Sequence, residues 1–457
     1  MKKTYLLLAS LLLTTALAAQ NPTAYFMEGS TFRSQFNPAF APLRGYINLP
    51  VIGGMNVNMS GNIALDNILY PRNGKLVTLL DSSVSSAEAL GTLRKNNLMG
   101  LDTRINLFGI GKFTRNHKNF WSFDMSLRIN EDMNLPKSLF EFLKEGREGT
   151  ISNFGLATEA YLEAAVNYSF PLLNDKLYIG VRGKLLAGAA RAQVNYDQFD
   201  ISLQQDRWAV TTRGTVNVTA DGTTVTPNPE TGTFEMSDLN FKPRKPAGYG
   251  FAVDLGATYD ILPGLQASLA VIDLGFIKWN KNSTVSGVST QQAEFVGVTV
   301  PGDGTDQVPD FDLEMLKFNQ VESSANSKML RASINAGVEY ELWNHWVGFG
   351  LFYSMRFWEY KTMHNLTGSV NFHPVRWFTL TGSYSVLDNR GNAVGLGLNL
   401  CPGWINFFIA TDMLLTRHTP QGIPVMQSSM NLTLGIGIPL GKRSHRIAAY
   451  VCEGDRK

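Results

Sequence analysis

The chain has only two cysteines, Cys401 and Cys452, in 457 residues. That excludes a disulfide-built scaffold and a thiolate metal cluster. It leaves two states open for the pair, one disulfide in an oxidising compartment or two thiols. Charged residues are also scarce, at 17%. Removing Lys2 and Lys3 from the 40 basic residues leaves 38, equal to the 38 acidic ones, so nothing points to nucleic acid as a partner. No apolar stretch is long enough to span a bilayer as a helix. Mean hydropathy is −0.07, so any membrane signal has to alternate rather than run continuously. Histidines number six: His117, His345, His364, His373, His418 and His445. None has a nucleophile motif or an orienting carboxylate beside it, and neither CxxC nor HExxH occurs. Enzymatic activity, a cofactor and a metal are therefore not expected.

What is present begins with an export signal over residues 1–19. Lys2 and Lys3 precede an apolar core from Tyr5 to Leu17, and Ala16-Leu17-Ala18-Ala19 supplies a small-residue cleavage site. Beyond it, apolar and polar residues alternate. From Leu330 to Leu342 one parity reads Leu330, Ala332, Ile334, Ala336, Val338, Tyr340, Leu342. The other reads Arg331, Ser333, Asn335, Gly337, Glu339, Glu341. Successive side chains of a strand face opposite ways, so such a segment has one greasy and one wet face. It also exceeds the about 9–11 residues that a tilted strand needs to cross a bilayer. Val347, Phe349 and Leu351 against Gly348, Gly350, Phe352, Ser354 and Arg356 repeat the pattern.

Fourteen such segments are expected: 46–60, 99–113, 119–130, 156–171, 175–192, 247–261, 265–279, 329–342, 346–358, 365–373, 376–388, 392–400, 404–412 and 430–440. Their connections alternate between short and mostly long, as periplasmic turns and extracellular loops do in outer-membrane barrels. Trp121, Trp343, Trp346, Trp377 and Trp404 sit by short turns, with Trp279 and Trp358 at the opposite strand ends, where interfacial girdles form. Pro136 to Glu145 reads as a short amphipathic helix. In segment 193–246, Val216, Val218, Thr223 and Val225 around Asp221-Gly222 read as an external hairpin. The fold class is therefore all-β, a transmembrane antiparallel β-barrel in the outer membrane of a Gram-negative bacterium. A half-buried soluble sandwich is the weaker alternative, since it has no need of this loop alternation.

The wet parity carries charge: Arg104, Asp124, Arg128, Glu159, Glu163, Arg182, Lys184, Arg331, Glu339, Glu341 and Arg356. Inward-facing charges must pair or stay hydrated. They read first as a structural network and second as a polar path or selectivity ring.

Residues 20–45 precede the first strand and read as a plug-like segment, with 46–440 the barrel and 441–457 a periplasmic tail. The segment holds Arg33 and then Asn37-Pro38-Ala39-Phe40, followed by Arg44-Gly45-Tyr46 and Leu49-Pro50. With the Leu135-Pro136…Phe140 element, these residues resemble an outer-membrane family of the Bacteroidota grouped as a domain of unknown function, over nearly the whole mature chain. A wider similarity is to the long-chain fatty-acid transporter superfamily. Its fourteen-stranded barrels carry an N-terminal plug with an Asn-Pro-Ala element, matched here by Asn37, Pro38 and Ala39. That resemblance implies a lumenal plug and passage of hydrophobic molecules. The same tripeptide opens gliding- and secretion-associated barrels, so it selects no substrate, and residues 20–45 are too few for a full-size hatch. Two functions follow as expectations. One is a channel or transporter for small hydrophobic or amphipathic solutes. The other is a structural or secretion-associated barrel that scaffolds envelope proteins through its long loops. The partners are outer-membrane lipid in either case, with hydrophobic small molecules for the first and envelope proteins for the second.

Overall fold

The computed structural model of the chain describes residues 22–63, 67–72, 75–146, 149–203, 207–290, 292–296, 317–387, 390–412, 429–442 and 444. The expected export signal, Cys452 and most of the expected tail lie outside the described residues.

One antiparallel sheet of fourteen wall strands closes on itself. Strand β1 is in two pieces, Gly45–Asn48 and Met55–Gly61. Then follow β2 Asn96–Phe113, β3 Phe120–Pro136, β4 Phe154–Leu172, β5 Leu177–Leu203, β6 Gly248–Leu262 and β7 Leu265–Trp279. Strand β8 is again in two pieces, Asn326–Met329 and Ser333–Leu342. The circuit ends with β9 Val347–Phe357, β10 Thr362–Val375, β11 Phe378–Leu387, β12 Arg390–Leu400, β13 Asn406–Thr411 and β14 Ser429–Leu440. Both pieces of β1 pair with β14, with Tyr46 opposite Pro439 and Met55 opposite Leu434, and this seals the cylinder. A closed sheet has no edge, so every wall N–H and C=O can find a partner without water.

The two faces separate by chemistry. Phe349, Leu351, Val338, Leu269 and Leu185 are exposed on the outside, the last 72% so. Asn335, Ser354, Thr367, Thr381, Asn399 and Thr433 are buried inside. A polar residue at every second position, hidden from bulk solvent, marks the interior as the polar compartment. Trp343, Trp346, Trp377 and Trp404 are exposed at the end of the short turns.

Four local departures from strict alternation matter. Strand β1 does not run unbroken through 46–60. Asn48 pairs with Gly109 and Gly437, whereas Met55 pairs with Ile105 and Leu434, so Leu49–Gly54 is extra length. Pro50 has no N–H to give the ladder, and Val51 takes a left-handed φ of 67°. The wall stays joined through Val51 N–H to Asn106 O and Ile436 N–H to Ile52 O, each 2.8 Å. Strand β8 likewise breaks at Leu330–Ala332. Leu330, expected outside, is buried inside against Trp279, Ile277 and Tyr161. Its partner strand carries the cause: Asp273 adopts a φ of 59° and bulges, so Ile272 and Asp273 both turn inward.

The third departure concerns the two tryptophans expected at the extracellular girdle. Trp279 is buried against Gly188, and Trp358 lies over Gly100 beneath the Arg331 guanidinium, so both face the interior. Fourth, the chain turns at Asp221-Gly222, but the segments on either side of that turn do not pair with each other. Residues 190–203 of β5 pair instead with Arg207–Ala220, a far longer ladder than the turn at 221–222 could nucleate. Thr284–Ser289, Gln292–Val296 and Phe318–Val321 extend this sheet beyond the barrel, over a core of Tyr196, Val216, Val218, Phe234 and Phe318. The helix Lys137–Glu145 closes a second external cluster by burying Phe140 against Leu79, Leu90 and Leu93, and ends at Gly146 with φ 62°.

The outward placement of Leu351 yields a prediction. Leu351→Arg should cost about 2–4 kcal/mol of folding stability in lipid vesicles, measured by urea unfolding. An unchanged midpoint would mean that this face does not meet hydrocarbon.

Candidate functional site

A cylinder of eight strands is filled by its own side chains, whereas sixteen to eighteen leave an aqueous channel. Fourteen leave room, and residues 22–44 occupy it. The segment is short in regular structure, with one helical turn at Pro22–Tyr25 and a 3₁₀ turn at Arg33–Gln35. Its shape comes from local capping: Asn37 Oδ1 accepts from Ala39 N–H at 2.9 Å, and Pro38 fixes the bend between them.

Aromatic rings hold the middle of the segment. Tyr25 stacks on Phe352 of β9 at 4.2 Å, with Phe36 and Phe26 edge-on to the same ring and Phe32 against Phe408 of β13. Arg33 lies over the Phe40 ring at 4.0 Å, donates through Nε to Tyr25 O at 2.6 Å, and pairs with Glu339 of β8. Wall side chains reach in to satisfy the irregular backbone. Asn335 Nδ2 donates to Phe36 O at 2.9 Å, and Thr379 Oγ1 and Asn399 Nδ2 each donate to Glu28 O at 3.2 Å. Thr23 donates to Asp412 and shares a hydrogen bond with Ser383.

The wall also makes space. A Cβ on Gly180 of β5 would fall 2.1 Å from Pro38 C, and one on Gly256 of β6 would fall 2.0 Å from Asn37 Oδ1. The Asn37-Pro38-Ala39-Phe40 element therefore rests on bare backbone, and Asn37 Nδ2 donates to Ala257 O at 3.0 Å.

A belt of charge crosses the lumen beside the segment. Arg128 lies 3.2 Å from Glu163, 3.4 Å from Asp273 and 3.6 Å from Asp102. Lys184 lies 2.5 Å from Asp273 and 2.8 Å from Asp254. Arg104 pairs with Glu163 and Arg356 with Asp102. Arg182 is 3.7 Å from Asp254 and donates to Gln35 Oε1 and Ser34 Oγ, which ties the belt to the plug segment. Arg331 pairs with Asp132 at 2.8 Å. Four of the named charges lie apart from the belt, Glu339 through its pair with Arg33 among them. Asp124 accepts from Tyr46 and Ser122, Glu159 accepts from Asn130, and Glu341 contacts His345. Cys401 is buried, and its partner in the disulfide reading lies outside the described residues.

Sequence reasoning missed four of the five carboxylates of the belt, Asp102, Asp132, Asp254 and Asp273. Asp102 shares the parity of Arg104, and Asp254 that of Gly256, so simple alternation marks both. Asp132 lies beyond the expected end of the third strand. Asp273 was hidden by its bulge, which no periodicity predicts.

The polar ends of the plug gather more groups. Glu28 accepts from His345 Nε2 at 2.9 Å, and His345 sits in a turn of three left-handed residues, Trp343 to His345. Burial alone would raise the Glu28 carboxyl, but the facing His345 holds it well below the usual carboxylate range. Burial would lower the His345 ring, and the Glu28 charge outweighs it, so the imidazole is raised. A cavity of about 100 Å³ opens here, bordered by Glu28, Arg33, Glu339 and His345. A second, of about 60 Å³, lies between Phe32, Phe36 and the charge belt. Both are smaller than the about 300–1,000 Å³ typical of small-molecule sites.

Because Arg128 serves three carboxylates, Arg128→Ala should cost about 3–5 kcal/mol in equilibrium unfolding. The exposed Lys281–Glu322 pair provides the control: Lys281→Ala should leave the midpoint nearly unchanged.

Comparison with known proteins adds the following. No curated protein sequence matches the chain. Among solved structures, a deletion mutant of the TodX monoaromatic hydrocarbon channel aligns over 93% of this chain and 96% of its own, at 9% identity and a TM-score of 0.42. The toluene transporter TodX of P. putida aligns over the same shares at 11% and 0.37, and a Pseudomonas aeruginosa FadL homologue over 92% and 94% at 10% and 0.40. Residues 38–412 match the family of unknown function DUF5723, and the chain belongs to that family.

Proposed function

We propose that the protein is an outer-membrane channel for small hydrophobic or amphipathic solutes, closed by residues 22–44. In this reading residues 1–19 are removed on export, and residues 22–44 lie within the lumen. The observation that carries it is the occupied lumen: a short segment seated on aromatic contacts and bare glycine backbone, in a barrel too wide to fill itself.

The kind of solute follows from what the movable segment would uncover. Phe32 and Phe36 form one wall of the inner cavity, and Arg104, Arg128, Lys184 and Arg356 with their carboxylates form the other. An aromatic wall facing a charged one suits a molecule with an apolar body and a polar end. Displacing the segment costs few main-chain ladder bonds, because it adds no strand to the barrel. Its attachments are side chains, which can be released singly.

A second reading rests on the external sheet. Strand β5 has 27 residues, and at about 3.3 Å each it reaches well past the bilayer. The sheet built on it has its own apolar core, a platform suited to holding another envelope protein.

Reconstitution into liposomes separates the two. The full chain should admit a lipophilic fluorophore faster than protein-free vesicles while conducting ions poorly. Deleting residues 22–40 should raise ion conductance by about an order of magnitude or more. Gly180→Val, which drives a side chain into Pro38, should give an intermediate rise. Equal conductance with and without the segment would end the gating reading, and uptake no faster than protein-free vesicles would favour the platform.

A further inference from the structure

We propose that Glu28, Glu341 and His373 form a site for a divalent transition-metal ion of the zinc class, which pins the plug segment to the barrel wall. The three residues come from three separate places: the plug segment, the end of β8 and the end of β10. Their ligand atoms lie within 4.8 Å of one another. Metal–ligand bonds of about 2.0–2.2 Å place ligand atoms about 3–4 Å apart, a closure that rotation of two glutamate side chains supplies.

Several observations point to a ligand rather than to chance proximity. The His373 side chain is only 6% exposed, although it sits at a strand end beside a turn. Glu341 Oε2 is buried against His345 and accepts no other hydrogen bond among the described residues. His345 touches both carboxylates, with Nε2 2.9 Å from Glu28 Oε2 and Nδ1 against Glu341, and its ring stacks on His373 at 5.1 Å. A side chain that grips two carboxylates orients their free oxygens, which is the role that second-layer partners play around metals. The neighbouring cavity of about 100 Å³ is bordered by Glu28, Glu341 and His345, so an ion has an entry path and a water can complete the shell.

The donor set decides the class of ion. One imidazole with two carboxylates suits zinc and its neighbours. Calcium and magnesium call for oxygen throughout and six or more ligands. Arg33 and Glu339 lie just beyond and neutralise one another, which leaves the two glutamates with His345 beside them as the charged groups of the site. Bound there, an ion would hold Glu28, and with it the plug segment, to two wall strands at once. The assignment does not depend on which solute passes the barrel.

The test uses the full chain without an affinity tag, in detergent, stripped with EDTA and titrated with zinc chloride in excess magnesium. About one zinc ion per chain should survive desalting, as measured by mass spectrometry. Glu28→Gln and His373→Ala should each abolish that retention, and His345→Ala should weaken it about 10–100-fold. Zinc should also slow proteolysis within residues 22–44. Retention of no zinc by the wild-type chain, or equal retention by a folded Glu28→Gln/His373→Ala double variant, overturns the site. If the variants do not fold, zinc X-ray absorption on the wild-type chain decides. Imidazole scattering with nitrogen and oxygen neighbours supports the assignment, and a shell without imidazole overturns it.

Discussion

Closure of the sheet is the constraint on which the rest depends. In hydrocarbon an unpaired backbone amide costs several kcal/mol, so a sheet there survives only by joining its first strand to its last. Here the join is the pairing of both pieces of β1 with β14. Once the cylinder exists, alternation has one outcome: apolar parity meets lipid and polar parity meets the interior. The circumference also sets a lumen that side chains alone leave partly empty. Charge, aromatic rings and the N-terminal segment take up that space.

The filling is uneven in kind. Towards the short turns the contents are aromatic, and Tyr25, Phe36 and Phe352 pack as a small apolar core inside a polar tube. Above lies a belt in which guanidinium, ammonium and carboxylate groups neutralise one another. Removing any one member leaves its partners charged and poorly hydrated, so the belt is costly to edit although pairing brings modest net stability. Two bulges serve this arrangement. The one at Asp273 turns a carboxylate inward where strict alternation would have sent it to lipid. The break at Leu330–Ala332 then lets Leu330 join Trp279 inside.

The N-terminal segment explains several of the glycines on the inner wall. Gly180 and Gly256 face Pro38 and Asn37 without room for a methyl group. A segment held by backbone contact and side-chain hydrogen bonds, with no ladder, can be stable and still separable. Glu28 of the segment lies 2.9 Å from His345, whose ring stacks on His373 of the wall.

Residue order alone determined the strand count, the order of short and long connections, and the face on which Leu351, Ser354 or Arg356 stands. Each follows from a period of two and from turn chemistry, which are local properties. Only the tertiary structure decided which charges meet, where alternation slips, and that Glu28 lies beside Glu341 and His373. Those outcomes depend on strands brought together across the cylinder from distant parts of the chain. A bulge such as that at Asp273 is chosen by the partners it gains, Lys184 and Arg128, and not by the residues beside it.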